Sequence, residues 1–299
     1  MRILQIHAGY RFAAGEDTVV ANEASALRRA GHRVDQFIVP NPTGTRASLV
    51  ALARSAHNPA IGRAVTDLIR RDRPDIVHVH NTWFAVSPSA IEAARAAGVP
   101  VVMTLHNYRL GCLGADLFRD GAVCTACVGR SPWSGVVHAC YRDSRALSAI
   151  QAVEVVTTRR RRTLTDGVTT FVAPSRFMAD RLVDIGVPTA RLVVKPHFTD
   201  DPGPRPNPPS TSREVLFVGR LAPGKGVETL LAAWRRLAPH HSGWQLVIVG
   251  DGPSADTLRA TSPSGVTFRG WLGRAEVTEH LLRARALAFP SEWYEPFGM

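Results

Sequence analysis

Short apolar segments alternate with helix-length segments along the whole chain, and this alternation most constrains the fold. The segment Leu246–Val249 is apolar throughout, which is typical of a strand buried on both faces of a parallel sheet. Similar short runs begin at Arg2 and recur as far as Ala286–Phe289. The repeated β-α-β order predicts α/β architecture, with doubly wound, Rossmann-like parallel sheets covered by helices on both faces.

The predicted elements follow from the same periodicity. The predicted strands are Arg2–His7, Arg33–Val39, Asp75–His80, Val99–Leu105, Thr169–Ala173, Leu192–Lys195, Val215–Val218, Gln245–Val249, Val266–Phe268 and Ala286–Phe289. The predicted helices are Asp17–Ala30, Ala60–Arg71, Pro88–Ala97, Phe177–Ile185, Val227–Ala238 and Arg274–Ala284.

One proline-rich segment interrupts the pattern. Residues 199–213 read TDDPGPRPNPPSTSR and lack apolar periodicity, which is typical of a linker. We therefore expect an N-terminal domain over residues 1–198 and a C-terminal domain over residues 214–299. Only four strand candidates follow the linker, whereas a doubly wound sheet usually has about five or six, so the second domain is expected to be incomplete.

The charge of the chain is strongly positive, with 36 Lys and Arg against 25 Asp and Glu. Most of these cations are scattered arginines, and the one dense run is Arg159–Arg162. We interpret this run as a solvated helical turn, with contact to an anionic surface such as a membrane as the alternative. No nucleic-acid-binding motif accompanies the charge, and we expect no nucleic-acid partner.

The sequence has no apolar stretch of the roughly 18 residues that a membrane span needs and no secretory signal at Met1. We expect a cytoplasmic protein, with peripheral contact at the inner face of the membrane as a further possibility. Its cysteines should then be thiols or metal ligands and not disulfides.

A glycine-rich turn, Gly219–Gly226, joins a predicted strand to a predicted helix. Such a turn directs backbone N–H groups and the positive end of the helix toward an anion, and Arg220 and Lys225 add two charges. The spacing also fits a P-loop except at Gly226, where the P-loop requires a Ser or Thr hydroxyl for Mg²⁺. The turn therefore predicts a diphosphate site. A P-loop nucleotide hydrolase and a tight turn with solvated charges are the alternatives.

Several motifs together resemble the GT-B, family-4 (group 1) glycosyltransferases. In the second half these are Gly219-Arg220-Leu221 with Lys225-Gly226, Val249-Gly250-Asp251-Gly252-Pro253, Phe268-Arg269-Gly270-Trp271, Pro290-Ser291 and Glu295-Pro296-Phe297-Gly298. In the first half they are Gly15-Glu16, Ala30–Val34, Asp75–His80, Leu105-His106 and Ala173-Pro174-Ser175. The resemblance covers nearly the whole chain and implies two Rossmann-like domains.

The resemblance assigns roles on the donor side. It implies that Arg220 and Lys225 hold the donor diphosphate beside Gly219, and that Glu295, not the neighbouring Glu292, contacts the donor sugar. A helix N-terminal acid is the alternative for Glu295. It also implies that Gly250, Asp251, Gly252 and Gly270 line the nucleotide cleft and that the Gly15 turn approaches the phosphates.

On the acceptor side, the resemblance implies that His106 faces the transferring sugar, with a structural turn histidine as the alternative. His78 and His80 share one face of a strand, where His80 could approach the cleft and His78 is more typical of a core residue. The family pattern continues with a second Glu beyond Met299, and we therefore expect a truncated chain. Retention of anomeric configuration is implied by the resemblance alone.

All four cysteines lie within residues 107–142, a segment interpreted as an insertion into the N-terminal domain. Their spacing, Cys112-x11-Cys124-x2-Cys127-x12-Cys140, is compatible with a structural zinc site. Free thiols, an iron–sulfur cluster and disulfides are the alternatives. No cofactor is expected for catalysis.

The function predicted from these features is transfer of a hexose-type sugar from a nucleoside-diphosphate sugar to a glycan, a lipid-linked acceptor or a small molecule, as in cell-envelope glycan biosynthesis. The alternative from a different class is a non-catalytic remnant that acts as a binding module.

Overall fold

The computed structural model describes residues 1–9 and 15–298, which divide into two compact units. Unit 1 consists of Met1–Leu117, Cys124–Thr199 and Glu295–Met299, and unit 2 consists of Phe118–Val123 and Asp200–Tyr294. No helix among the described residues is long and apolar enough to cross a membrane.

The two units contain twelve strands and eleven α-helices within the described residues. The strands are β1 (Arg2–Gly9), β2 (Arg33–Pro40), β3 (Ile76–Asn81), β4 (Val101–Thr104), β5 (Phe118–Arg119), β6 (Ala122–Val123), β7 (Thr170–Ala173), β8 (Leu192–Val194), β9 (Glu214–Val218), β10 (Gln245–Val249), β11 (Val266–Gly270) and β12 (Ala286–Leu287). The helices are α1 (Gly15–Arg29), α2 (Thr45–Ala53), α3 (Pro59–Asp72), α4 (Ser89–Ala96), α5 (Trp133–Val137), α6 (Arg145–Arg160), α7 (Thr163–Gly167), α8 (Arg176–Ile185), α9 (Val227–Leu237), α10 (Ala255–Thr261) and α11 (Arg274–Arg283).

Unit 1 is built on a six-stranded sheet in the order β2-β1-β3-β4-β7-β8. Every pairing in this sheet is parallel, and so all of its strands end at the same edge. Helix starts are fixed by local sequence, because Ser144 caps α6 and Ser175 caps α8 by accepting a backbone N–H. Gly186 ends α8 in the left-handed conformation, with φ of 108°.

Unit 2 contains a four-stranded parallel sheet in the order β11-β10-β9-β12. Alternate residues of β10 enter different parts of the core, as its apolar sequence predicts. Leu246 and Ile248 pack with residues of α9 and α10, whereas Val247 and Val249 pack with Leu216. All four β10 side chains are buried, and the prediction of a strand covered on both faces is confirmed.

Each predicted strand and helix is present, with ends that differ by a few residues. The helices α2, α5, α7 and α10 were not predicted, and neither was the 16-residue helix α6. Its buried face carries Gln151, Glu154 and Thr158 at helical spacing, and these polar residues interrupt the apolar period that identifies an amphipathic helix. A small hairpin of β5 and β6 within the cysteine-containing segment was also missed.

Candidate active site

Four histidines lie in a row at the carboxyl edge of the unit 1 sheet. His7 lies near the end of β1, His80 lies near the end of β3, His106 follows β4, and His197 follows β8. The ring centroids are 6.3 Å apart for His7 and His80, 5.5 Å for His80 and His106, and 5.0 Å for His106 and His197. In parallel sheets this edge is where ligands bind, and so the row marks a candidate site.

A buried network stands behind His106. His80 Nδ1 lies 3.2 Å from His106 Nε2, and His80 Nε2 lies 3.5 Å from Glu23 Oε2. Lys195 donates a hydrogen bond of 2.6 Å to the other oxygen of Glu23. The Gln5 amide nitrogen lies 3.4 Å from His80 Nε2. The network fixes the orientation of the His106 ring from within the core.

The histidines of this network are held neutral. Burial lowers the pKa values of His80 and His106 well below the usual range, and neighbouring histidines lower them further. Burial also lowers the pKa of His78, against the opposing effect of Glu23. Burial lowers the pKa of His197 to about 4. Near neutral pH, His106 therefore offers hydrogen-bonding nitrogens without a positive charge.

The described residues contain one group of three potential metal-binding side chains within 4.8 Å of one another, formed by Glu23, His78 and His80. Each of these side chains already has protein partners. His78 Nε2 lies 2.9 Å from Thr104 Oγ1, and Lys195 compensates the charge of Glu23. The group is thus complete as a hydrogen-bond network. Both His78 and His80 are buried, as predicted for His78.

The start of α1 lies beside the residue that follows His106. Gly15 is the first residue of α1 and is exposed, while Tyr10–Ala14 lie outside the described residues. Asn107 Nδ2 donates a hydrogen bond of 3.0 Å to Glu16 Oε1, and His7 contacts Asp17 at 2.9 Å. The Gly15 turn is therefore connected to the histidine row through side chains and not through the glycine itself.

The Glu295 segment belongs to unit 1, although it follows the last residues of unit 2 in the chain. Ser175 Oγ donates a hydrogen bond of 2.8 Å to the Pro296 carbonyl oxygen. The Phe297 ring packs edge-on against His197, with centroids 5.3 Å apart. These contacts hold the segment at the end of the histidine row that contains His106 and His197.

In unit 2, the glycine motifs lie at the carboxyl ends of β9, β10 and β11, as the sequence predicts. The Gly219 N–H donates to Val249 O at 3.0 Å, and the Gly250 N–H donates to Gly270 O at 2.7 Å. The Leu221 N–H donates to the Asp251 carbonyl at 2.9 Å. These hydrogen bonds join three turns into one continuous backbone edge.

The close approach of the turns requires glycine. A Cβ at Gly250, where φ is 139°, would overlap the Gly219 carbonyl oxygen. A Cβ at Gly226, where φ is 70°, would overlap the Pro290 carbonyl oxygen. A Cβ at Gly252 would meet Leu221 O. These glycines are needed for backbone packing, whatever ligand the edge binds.

Two cations lie on this edge. Arg220 is exposed, and the Lys225 ammonium lies 4.8 Å from the centroid of the Trp293 ring, a cation–π contact. Glu292 accepts a hydrogen bond from Thr229 Oγ1, and its backbone N–H donates to Gly224 O at 2.8 Å. Glu292 is thus engaged in holding the turn. The edge thus combines closely packed backbone turns with two cations.

The four cysteines do not form the tetrahedral arrangement that their spacing allows. No three of their sulfurs lie within 4.8 Å of one another, and none forms a disulfide. The Cys127 thiol donates to the Pro132 carbonyl at 3.9 Å, and Cys140 packs against an apolar cluster. Burial raises the pKa of the Cys112 thiol, which disfavours a thiolate. The residues as arranged do not fit a zinc ion, and zinc binding stays a prediction.

The arginine run at residues 159–162 is largely engaged within the molecule. Arg159 donates hydrogen bonds to the carbonyls of Arg130 and Leu110, at 2.8 and 3.1 Å. Arg161 lies 3.6 Å from Glu92, and Arg162 pairs with Asp166 across one helical turn. The run stabilises the end of α6 and is not a uniformly open cationic patch.

Sequence reasoning missed a cavity beside the histidine row in unit 1. It has about 70 Å³ of free volume and is lined by His80, His106, Arg109, Glu154 and Thr158, together with apolar side chains. Its polar residues are far apart in sequence and fit no motif. The one feature of the sequence that could have indicated the cavity is the set of polar residues on the buried face of α6.

Comparison with known proteins identifies the family. A glycosyl transferase 4-like domain matches residues 14–197, and a domain of the glycosyl transferases group 1 matches residues 212–299. Glycogen synthase of Mycobacterium tuberculosis is 31% identical over 238 residues, covering 76% of this chain and 49% of its own length. A GDP-mannose-dependent alpha-mannosyltransferase of Corynebacterium glutamicum is 28% identical over 77% of this chain and 48% of its own. The chain spans about half the length of these relatives.

Solved structures give the fold. A lipopolysaccharide outer core galactosyltransferase, WaaB, in its apo form superposes with a TM-score of 0.60 at 16% identity, over 97% of this chain and 74% of its own. Anabaena HepE in complex with UDP and glucose gives a TM-score of 0.58 at 17% identity, over 100% of this chain and 76% of its own. The predicted GT-B fold is confirmed. With both of its halves matched by family domains, the chain belongs to the group 1 glycosyltransferases of the GT-B fold.

Proposed function

We propose that this chain transfers a hexose from a nucleoside-diphosphate sugar to a hydroxyl group of an acceptor. The observation that carries the proposal is the backbone edge of unit 2, where the turns after β9, β10 and β11 meet beside Arg220 and Lys225. This edge has the chemistry of a diphosphate site. The names of the relatives, which include a glycogen synthase and a mannosyltransferase, support the same reaction class.

The diphosphate is proposed to bind at the start of α9. The residue that precedes α9, Gly226, has no side chain with which to cap the helix, and so the first N–H groups of α9 are available to an anion. Arg220 and Lys225 would neutralise the charge that develops on the phosphate as the glycosidic bond breaks. Arginine suits this role because its fork of N–H groups matches two oxygens at once.

The sugar and the attacking hydroxyl are proposed to meet near His106. A neutral imidazole in a fixed orientation donates or accepts a hydrogen bond to a sugar hydroxyl, and it carries no positive charge that would compete with Arg220 and Lys225 for the phosphate. His80 and Glu23 act as positioning residues behind it. Glu295 is proposed to contact the donor sugar, and transfer is proposed to retain the anomeric configuration. The acceptor is proposed to be a glycan, a lipid-linked intermediate or a small molecule.

The test measures nucleotide-sugar binding and turnover with the 299-residue chain. We expect UDP-glucose or GDP-mannose to bind with a Kd in the micromolar to millimolar range by calorimetry. Arg220→Ala and Lys225→Ala should each lower the turnover rate about 100-fold, with a smaller change in donor affinity, because the cations act most strongly in the transition state. Arg236→Ala, on an exposed position of α9, is the matched control and should change neither. The proposal is wrong if the folded protein binds no nucleotide or nucleotide sugar.

A further inference from the structure

The cavity beside His106 contains buried polar atoms that the protein itself leaves without partners. Glu154 and Thr158 lie one turn apart on α6 and are 8% and 9% exposed. Glu154 Oε2, Thr158 Oγ1 and Arg109 Nη1 are buried and have no hydrogen-bond partner in the described part of the chain. Each such atom costs about 1–3 kcal/mol when left unsatisfied. Three of them around one cavity indicate a ligand site.

We propose that this cavity is an acceptor subsite that binds the hydroxyl-bearing edge of a neutral sugar or cyclitol ring. In this assignment Glu154 and Thr158 exchange hydrogen bonds with ring hydroxyls, and Arg109 donates to one ring oxygen. The inference rests on the proposed glycosyl transfer, which requires an acceptor hydroxyl near His106. The free volume of about 70 Å³ is several times the roughly 10–15 Å³ that a cavity needs to hold one water, and so the cavity admits several ligand atoms.

The chemistry of the lining favours hydroxyl groups. Burial raises the pKa of Glu154 to about 8, while Arg109 acts in the opposite direction. A protonated carboxyl both donates and accepts a hydrogen bond, as does the Thr158 hydroxyl, and a ring hydroxyl needs both kinds of partner. Trp83, Ile91 and Met103 supply apolar surface for the C–H faces of a ring.

Charged rings fit the cavity less well. An amino sugar or aminocyclitol would place a cation beside Arg109, whose guanidinium is held over the Trp83 ring at 5.3 Å and the Tyr141 ring at 5.6 Å. A phosphate is best bound by two parallel N–H groups of an arginine. Both terminal nitrogens of Arg159 already donate hydrogen bonds to backbone carbonyls. Arg109 has a single unpartnered nitrogen, Nη1, and so it cannot supply the pair of N–H groups that a phosphate needs. The lining therefore selects an uncharged ring.

The experiment is ligand-observed NMR and calorimetry on the 299-residue chain with myo-inositol and methyl α-D-glucopyranoside, in the presence and absence of UDP. D-Glucosamine and glucose 1-phosphate serve as the cationic and anionic probes. We expect at least one neutral ring to bind and both charged rings to bind about tenfold or more weakly. Glu154→Met and Thr158→Val should each weaken binding of the neutral ring about tenfold, the effect of one lost hydrogen bond. Val153→Thr, at an exposed position of the same helix, is the matched control.

Thermal unfolding separates a binding role from a structural one. Glu154→Met replaces an unpartnered buried carboxyl by an apolar side chain, and so we expect its Tm to equal or exceed that of the wild type. A lower Tm would indicate a structural role and would overturn the inference. It is also overturned if no neutral ring binds while UDP binds, if Glu154→Met binds the ring as well as the wild type, or if glucose 1-phosphate binds most tightly. Loss of UDP binding in the wild type would instead contradict the proposed function.

Discussion

Units 1 and 2 each have a candidate binding edge at the carboxyl ends of parallel strands, the acceptor edge in unit 1 and the donor edge in unit 2. The two edges are formed by different chemical groups. In unit 2 the edge is backbone, with glycines that let three turns touch and cations that project from them. In unit 1 the edge is a set of buried side chains, with the neutral histidines His80 and His106 at its centre.

The difference follows from the ligand that each edge is proposed to bind. A diphosphate is the same in every nucleoside-diphosphate sugar, and backbone N–H groups with two cations suffice to bind it. An acceptor differs from enzyme to enzyme, and its hydroxyl groups must be matched one by one by side chains of the right shape and protonation state. Substitutions in unit 2 should therefore act through backbone geometry, and substitutions in unit 1 through the loss of individual polar contacts.

The largest effect is expected for Gly250→Ala. The new Cβ would overlap the Gly219 carbonyl, and the backbone at φ of 139° is unfavourable for alanine. We expect unit 2 to be destabilised by about 4 kcal/mol or more and nucleotide binding to be lost. Urea unfolding followed by calorimetry with UDP measures both.

Gly270→Ala is the matched control for this substitution. Gly270 also has a positive φ, of 69°, but a Cβ there would have nothing within 4 Å. We expect it to cost about 1 kcal/mol, the conformational strain alone. Equal costs for the two substitutions would show that strain, and not the contact between the turns, makes the glycines necessary.

The contrast between the two edges also decides what could be predicted from sequence. The parallel sheets were predictable because strands such as β10 are apolar on both faces. The glycine turn Gly219–Gly226 was predictable because it joins a strand to a helix, whereas Gly250 and Gly270 were singled out only by the family resemblance. His7 and His197 were missed as members of the histidine row, because nothing local distinguishes a histidine at one strand end from another.

The cavity of unit 1 could not be predicted from the sequence for a similar reason. Glu154 and Arg109 meet only after α6 has folded against the sheet, and the polar residues of α6 concealed the helix itself. The cysteine spacing is a different case, because it is a local pattern that predicts a metal site. No three of the four sulfurs lie within 4.8 Å of one another among the described residues, and zinc binding stays a prediction.

A smaller effect than that of Gly250→Ala is expected for His80→Leu in unit 1. The substitution removes the partner of His106 and leaves the buried Gln5 and Glu23 with fewer contacts. We expect a loss of about 2–3 kcal/mol in the stability of unit 1, and a fall in turnover without a change in UDP affinity. Chemical denaturation and a comparison of kcat with the UDP Kd measure these effects.

His32→Leu provides the control for His80→Leu, because its side chain contacts only the exposed N-terminus in the described hydrogen bonds. We expect this variant to differ from the wild type by less than about 0.5 kcal/mol. If His80→Leu weakened UDP binding as strongly as it lowered turnover, the view of His80 as a positioning residue for His106 would be wrong.

The smallest expected effect, taken per pH unit, is a pH dependence of stability that distinguishes the buried edge from the backbone edge. Glu154 has a pKa of about 8 in the folded protein, compared with 4.5 as its ordinary value, because burial disfavours the charged form. Its proton is held by the folded state and released by the unfolded state between these values. The contribution of this proton to the free energy of unfolding is therefore fully present below about pH 4.5. It is lost as the pH rises toward 8, by at most about 1.4 kcal/mol per pH unit.

Glu154→Gln should remove this slope without removing the hydrogen-bonding groups. Of the other titratable or charged groups that line the cavity, Arg109 and Arg159 keep their charge over this range, and burial keeps His80 and His106 neutral. Hydrogen exchange of the α6 amides from pH 5 to 8, corrected for intrinsic rates, follows the unit that contains Glu154, while the amides of α9 report on unit 2. We expect the substitution to flatten the pH dependence of α6 alone. An unchanged slope in α6 would mean that Glu154 is ionised in the folded protein, and its carboxylate would then belong with a charged acceptor and not with a neutral ring.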